Sequence, residues 1–184
     1  MATERPDPRI AAVLILGYPR NGESHIVFTQ RTETVSNHRG QISLPGGARE
    51  PGDGSLEVTA LRETNEELGI GPERVRIVGR LEDEYVVVSN FLIAPFVGVL
   101  DDEPTFRPNP TEVAEVIEVP LERLRDPAIF REEDWHRPEM PRMQFYVVKG
   151  CEIWGATARI IRKFLASEYP DLLASNDRLE PTRG

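Results

Sequence analysis

The stretch Gly47–Ile70, GAREPGDGSLEVTALRETNEELGI, gathers more carboxylates on one short helix than folding requires, and the rest of the chain is read outward from it. At about 100° per residue, Glu63, Glu66 and Glu67 fall within an arc of roughly 100°. Val58, Leu61, Thr64 and Leu68 lie on the opposite side, so the spacing predicts a helix with a buried stripe and an acidic stripe. Asp53 and Ser55 are good N-cap residues ahead of the apolar periodicity. Gly69 followed by Ile70 suits a left-handed stop, which makes the helix about four turns long.

Three like charges spaced three and four residues apart repel by a few tenths of a kcal/mol per pair, and by more where the face is enclosed. A positive partner is therefore expected there. Arg62 projects to one flank of the arc, and one guanidinium cannot neutralise three carboxylates. A hard divalent cation can, because Mg²⁺ takes oxygen ligands, keeps several waters and is held by one or two carboxylates plus phosphate oxygens. The alternative is a solvated helix face laced with surface ion pairs. Upstream, Leu44-Pro45-Gly46-Gly47 and Pro51-Gly52-Asp53-Gly54 allow the backbone to turn close to a ligand, with a carbonyl free to coordinate a metal.

This constellation resembles the Nudix box, in which a Gly and then an acid precede Arg-Glu-apolar-any-Glu-Glu-any-Gly-apolar. Gly47, Asp53, Arg62, Glu63, Glu66, Glu67, Gly69 and Ile70 fall on it. Three positions depart: the first acid is Asp53 rather than Glu, eight residues instead of seven separate it from Arg62, and Thr64 holds an apolar place. The Asp and the longer spacer match the coenzyme A diphosphatase branch. Arg31, Thr32, Val35, His38, Gly40 and Leu44-Pro45-Gly46-Gly47 resemble that branch's upstream motif in the same register. Ser36 stands where its second Arg is expected, and Arg39 is near enough to reach the same group. Ile153–Ala158 resembles its C-terminal signature and is read as packing against the sheet.

The resemblance implies an α/β/α sandwich, a mixed β-sheet between helices, over one domain spanning residues 1–184. It implies Mg²⁺, with Mn²⁺ as the alternative ion, held by Glu63 and Glu67 with a carbonyl of Gly46 or Gly47. Glu66, or a carboxylate beyond the box, is the expected base, with Glu112 and Glu115 the candidates for such a carboxylate. Arg62 is expected to hold one of the glutamates through a bidentate contact, and Asp53 to buttress the loop. Arg31, His38 and Arg39 are the candidate substrate-binding residues, the alternative being that Arg31 and His38 cap strand ends. The implied reaction cleaves the diphosphate of coenzyme A or its derivatives into phosphopantetheine and adenosine 3′,5′-bisphosphate. ADP-ribose, NADH or another nucleotide is the alternative substrate. A non-catalytic nucleotide-binding regulator is the alternative of another class.

Composition bounds these readings. With 184 residues, 39% apolar and 29% charged, the chain suits one ordinary soluble domain. A net charge of −9 argues against nucleic acid as the main partner, because phosphate backbones are bound by basic surfaces. Cys151 alone allows no internal disulfide and suits a reducing cytoplasm. The first residues carry no apolar signal core, the last carry no recognised address, and no window approaches the ~20 apolar residues of a membrane span. The oligomeric state is left open, a homodimer included.

Along the chain, Ile10–Leu16 reads as a buried strand that pairs with His25–Arg31 in a hairpin, and residues 32–40 as a loop into a short strand at Gln41–Leu44. Val75–Leu81 and Tyr85–Leu100 read as strands, with Pro95 marking an edge or bulge and Glu82-Asp83-Glu84 a solvated turn. Asp101–Pro110 reads as an exposed loop, Val113–Val119 as a strand and Leu121–Arg125 as a helical turn. Asp126–Arg142 reads as an irregular insertion near the substrate mouth, with Phe130 and Trp135 packing it down or stacking on a base. Gln144–Val148 and Cys151–Trp154 read as a closing hairpin. Ala156–Tyr169 reads as an amphipathic helix burying Ile160, Ile161, Phe164 and Leu165, followed by a frayed tail over 175–184.

Overall fold

The apolar run Ile10–Leu16 forms the middle of β1 (Arg9–Arg20), which continues past its expected end because Gly17 to Arg20 pair antiparallel with Ile26 to Glu23 of β2 (Glu23–Arg31). Asn21 and Gly22 join the two strands with φ of 51° and 81°, the positive angles that a two-residue turn needs to match strand twist. The computed structural model describes residues 6–32, 40–137 and 140–174. Val35, Ser36, His38 and Arg39, and the tail over 175–184, lie outside these described residues.

β1 and β2 pair only over part of their length. Beyond that, β3 (Ile42–Ser43) pairs with Gln30 and Thr29 of β2, and β4 (Gly46–Ala48) pairs with Val13 to Ala11 of β1. Between them Leu14 N–H donates to the Pro45 carbonyl at 2.9 Å. Residues 42–48 are therefore wedged into a split between the two long strands. The sequence reading contains no β4, because two successive glycines carry no strand propensity and only the backbone of β1 makes them a strand.

After α1 (Leu56–Leu68), β5 (Arg76–Arg80) and β6 (Glu84–Val86) run antiparallel to β7 (Phe91–Val99). β7 lies parallel to β1, so the sheet is mixed. Pro95 is not at an edge, since it lies opposite Val13. Its carbonyl accepts Leu81 N–H at 2.9 Å on the other side. A residue's N and C=O point the same way in a strand, so the missing donor faces the gap between β6 and β5. β8 (Val113–Pro120) pairs with the outer side of β2.

Side-chain alternation then divides the core in two. Leu14, Leu16 and Val27 pack with Ala60 and Leu68 of α1 on one face. Ile15, Ile26 and Phe28 pack on the other with α2 (Leu121–Arg125), α3 (Gly155–Leu165) and α4 (Tyr169–Ala174). Helices thus cover both faces of the mixed sheet, the α/β/α architecture expected.

Three expectations are corrected here. Asp126–Arg142 is not an irregular insertion. After a short helical turn it forms β9 (Phe130–Arg137), which pairs with β10 (Met140–Val148), and β10 with β11 (Cys151–Trp154), in a second antiparallel sheet. Glu132, Glu133 and Asp134 face solvent, which hid the strand, while Phe130 packs on Tyr146 with ring centroids 5.1 Å apart and the Trp135 ring centroid lies 6.0 Å from that of Trp154. The last helix stops at Leu165, where Ser167 Oγ donates to the Phe164 carbonyl, and Leu165 is only partly buried. Glu84 is not in a solvated turn: it is 7% exposed and its carboxylate meets Arg159 Nε at 2.5 Å and Lys163 Nζ at 2.9 Å, tying β6 to α3.

Candidate active site

Ser55 caps α1 by accepting Val58 N–H at 3.2 Å, and Gly69, at φ 69°, closes it by donating its N–H to the Asn65 carbonyl at 2.8 Å. The buried face of the helix differs from the expected one. Ala60, Thr64, Glu67 and Leu68 are buried, whereas Val58 is 46% exposed. The physical reason is β4: the helix lies over it and over β1, which turns Glu67 inward and rolls Val58 out. Thr64, at the apolar position of the box, is accommodated because its hydroxyl donates to the Ala60 carbonyl at 2.7 Å.

Gly46 and Gly47 lie beneath the glutamates. Gly46 has φ 149°, and a β-carbon there would sit 2.3 Å from the Ala12 carbonyl oxygen, so only glycine lets β4 approach β1 so closely. A β-carbon on Gly47 would lie 2.5 Å from the carboxyl carbon of Glu63. The absent side chain is the space in which that carboxyl group rests.

Glu67 is 3% exposed. One carboxylate oxygen accepts Gly46 N–H at 3.2 Å and the other is 4.0 Å from the Arg31 guanidinium, beyond hydrogen-bond range. Burial pushes the Glu67 carboxyl up to about 8, against the pull of Arg31 and the Gly46 N–H, with Glu63 and Glu112 adding to the rise. Glu63 is raised too, chiefly by burial, despite Arg62. Desolvation, more than the mutual repulsion emphasised by the sequence, is what raises both acids.

Arg62 has a different division of labour from the one expected. Its Nε and one terminal nitrogen form a bidentate pair with Asp53 at 2.9 and 3.0 Å, and the same terminal nitrogen reaches the Ala48 carbonyl at 3.2 Å. The other terminal nitrogen donates to both Glu63 and Glu66 at 3.0 Å. Asp53 also accepts from Glu50 N–H and the Thr59 hydroxyl, each at 2.9 Å. Those donors, Arg62 foremost, hold its carboxyl well below the usual range. Asp53 thus locks the loop over residues 50–53 to α1 and anchors the arginine that spans two glutamates. The role of Thr59 is missing from the sequence reading, although its place one turn after Ser55 was visible.

Beyond the box, Arg31 is brought to Glu67, and Glu112 lies where its charge acts on both Glu63 and Glu67. Glu115 is not brought there. It shares a face of β8 with Ile117, packed toward α2 and α3, and lies across from Gln30 on the side away from α1. His38 and Arg39 lie outside the described residues.

The fit to a divalent cation can be judged from these donors. Among the described residues, no three Asp, Glu, His or Cys side chains are gathered closely enough to enclose an ion by themselves. Two desolvated carboxylates one helical turn apart, over a glycine backbone, nonetheless suit an ion that keeps water and takes one or two carboxylates. Glu63 and Glu67, with a Gly46 or Gly47 carbonyl, fit such an ion.

Known proteins are similar to this chain in sequence or in fold. "Nudix hydrolase 22, chloroplastic" of Arabidopsis thaliana is 38% identical over 170 residues, covering 88% of this chain and 56% of that protein. "Peroxisomal coenzyme A diphosphatase NUDT7" of Mus musculus is 37% identical over 119 residues, covering 65% of this chain and 50% of that protein. The chain therefore spans about half the length of these two relatives. The crystal structure of a NUDIX hydrolase from Alicyclobacillus acidocaldarius shares the fold at TM-score 0.57 and 18% identity, covering 92% of this chain and 96% of that one. The model of the NUDIX domain matches residues 8–143, a span that includes the sheet, the glycine wedge and the carboxylate helix, and on that match the chain belongs to the Nudix family.

Proposed function

We propose that this protein is a hydrolase of nucleoside diphosphate derivatives that works with a divalent cation, Mg²⁺ or Mn²⁺, and that coenzyme A and its derivatives are its substrates. The observation that carries the reading is Glu67: a carboxyl 3% exposed and raised to about 8, with no hydrogen-bonded cation among the described residues and Arg31 4.0 Å away. Folding gives that group no reason to be acidic, whereas a metal ion does.

In this reading Glu63 and Glu67, with a carbonyl of Gly46 or Gly47, would hold the ion. A bound divalent cation would lower the pKa of a coordinated water and draw charge from the phosphoryl oxygens. Arg62, anchored by Asp53, keeps Glu63 and Glu66 in place. Glu66, 50% exposed at its side chain, takes the proton of the attacking water, and Glu112 is the alternative base. One diphosphate P–O bond breaks as the water oxygen bonds to phosphorus, so coenzyme A yields phosphopantetheine and adenosine 3′,5′-bisphosphate. Arg31, beside Glu67, receives a phosphate oxygen of the substrate.

The coenzyme A assignment is supported by the residues that resemble that branch around Arg31 and Gly40, and by the activity for which the mouse relative is named. A cytoplasmic location is part of the same proposal. It rests on one free cysteine, and among the described residues no helix is long and apolar enough to cross a membrane. The test follows product release with Mg²⁺ across coenzyme A, ADP-ribose, NADH and nucleoside triphosphates. Coenzyme A is expected to have the highest kcat/KM. Turnover confined to ADP-ribose would replace the substrate, and tight nucleotide binding without turnover under saturating Mg²⁺ or Mn²⁺ would make the protein a binding module.

A further inference from the structure

Thr59 is fully buried near the start of α1, where a threonine hydroxyl ordinarily bonds back to the carbonyl four residues earlier. That carbonyl, of Ser55, already accepts Thr59 N–H at 3.1 Å and lies 3.3 Å from the hydroxyl. A carboxylate oxygen of Asp53 is closer, at 2.9 Å. The hydroxyl has one proton to give, and the shorter contact takes it because a hydrogen bond to an ionised acceptor is roughly twice as strong as one to a neutral group. A helix threonine is thus turned away from its own backbone toward a side chain of the preceding loop.

The two Asp53 oxygens accept four donors. Arg62 Nε reaches one at 2.9 Å, while an Arg62 terminal nitrogen, Glu50 N–H and the Thr59 hydroxyl reach the other at 3.0, 2.9 and 2.9 Å. The torsion that turns a carboxylate about its Cβ–Cγ bond is broad, so rotamer preference does not fix its plane. A bidentate pair with a guanidinium nevertheless needs the two planes to coincide. Glu50 ties the carboxylate to the loop. Among the described residues, Thr59 is the donor besides Arg62 itself that ties it to the helix carrying Glu63, Glu66 and Glu67. At its far end the same guanidinium divides one nitrogen between Glu63 and Glu66 at 3.0 Å each, so a rotation of the Asp53 plane passes to both.

We propose that Thr59 is a positioning residue of the active site: its hydroxyl sets the plane of the Asp53 carboxylate and, through it, the direction in which Arg62 holds Glu63 and Glu66. The proposal rests on the reading of those glutamates as part of a hydrolytic site.

Thr59→Val keeps the branched shape and removes the donor, whereas Thr59→Ser keeps the donor. Thr59→Ala, which also lacks it, repeats the measurement without the extra methyl group. Two readouts run side by side: kcat and KM for coenzyme A with Mg²⁺, and the Arg62 Nε–H resonance of the metal-free protein in a ¹H–¹⁵N spectrum. The melting temperature is the control for folding. Thr59→Val is expected to shift the Arg62 signal, speed its exchange with water and lower kcat about tenfold with KM unchanged. Thr59→Ser is expected to restore both. In an Arg62→Lys background Thr59→Val should change kcat no further, because its effect passes through Arg62. An unmoved Arg62 signal, an unchanged kcat, or an undiminished loss in the Arg62→Lys background overturns the inference. If the signal moves as expected while the wild-type protein turns over no nucleoside diphosphate derivative, the contact stands and the functional reading beneath it falls.

Discussion

The carboxyl group of Glu63 rests in the space that the missing side chain of Gly47 leaves, so close that a β-carbon at residue 47 would come 2.5 Å from its carbon atom. Gly47 has no unusual backbone angle to require glycine, so this contact alone makes the position intolerant of a methyl group. Gly47→Ala is therefore expected to push Glu63 aside with the fold intact. The expected outcome is a loss in kcat/KM of about 100-fold, the scale that a ~1 Å misplacement carries, with little change in melting temperature. An alanine variant as active as the wild type would remove Glu63 from the site.

Glu67 gives the stability of the metal-free protein a pH dependence of unusual sign. Its folded-state carboxyl titrates near 8, above the usual carboxylate range, so the folded protein binds the proton more tightly than the unfolded chain does. The contribution is complete below about pH 4 and is lost as pH rises toward 8. Glu67→Gln should melt higher than the wild type at pH 8, by about 3 °C or more, and the two should converge near pH 4. Adding Mg²⁺ at pH 8 should raise the wild type and leave the variant unmoved. Thermal melts in a pH series with and without metal check both statements.

Asp53 and Arg62 form the bidentate pair on which the placement of Glu63 and Glu66 depends. Arg62→Lys keeps the charge but cannot bridge Asp53 and two glutamates with one ammonium group. It is expected to lower kcat roughly 10- to 100-fold with a smaller effect on KM. Asp53→Asn should act in the same direction, and the double variant should lose less than the sum of the two. Steady-state kinetics on the four proteins decide this.

The Glu84 pair with Arg159 and Lys163 lies on the face of the sheet away from α1, so its effect should be on stability alone. Glu84→Gln removes the buried partner of two partly exposed cations, at a cost of about 1 kcal/mol. The melting temperature should fall by roughly 2–4 °C while kcat below the transition is unchanged. A loss of kcat in protein shown to be folded would mean that the two faces are coupled.

The sequence by itself determined the helix and its caps, because Ser55, the apolar spacing and Gly69 act over single turns, and it determined the hairpins at Asn21-Gly22 and before Cys151 for the same local reason. It also singled out the glutamates and glycines of the candidate site, since the box is contiguous and its chemistry is carried by residue type. Which way the helix faces was decided only by the tertiary structure: β4 exists through its pairing with β1, and its presence turns Glu67 inward and Val58 out. The strand at Phe130–Arg137 and the burial of Glu84 depend likewise on partners distant in the chain. Periodicity records which residues share a face, but burial is set by what the rest of the fold lays against that face, and here burial leaves Glu67 short of a cation.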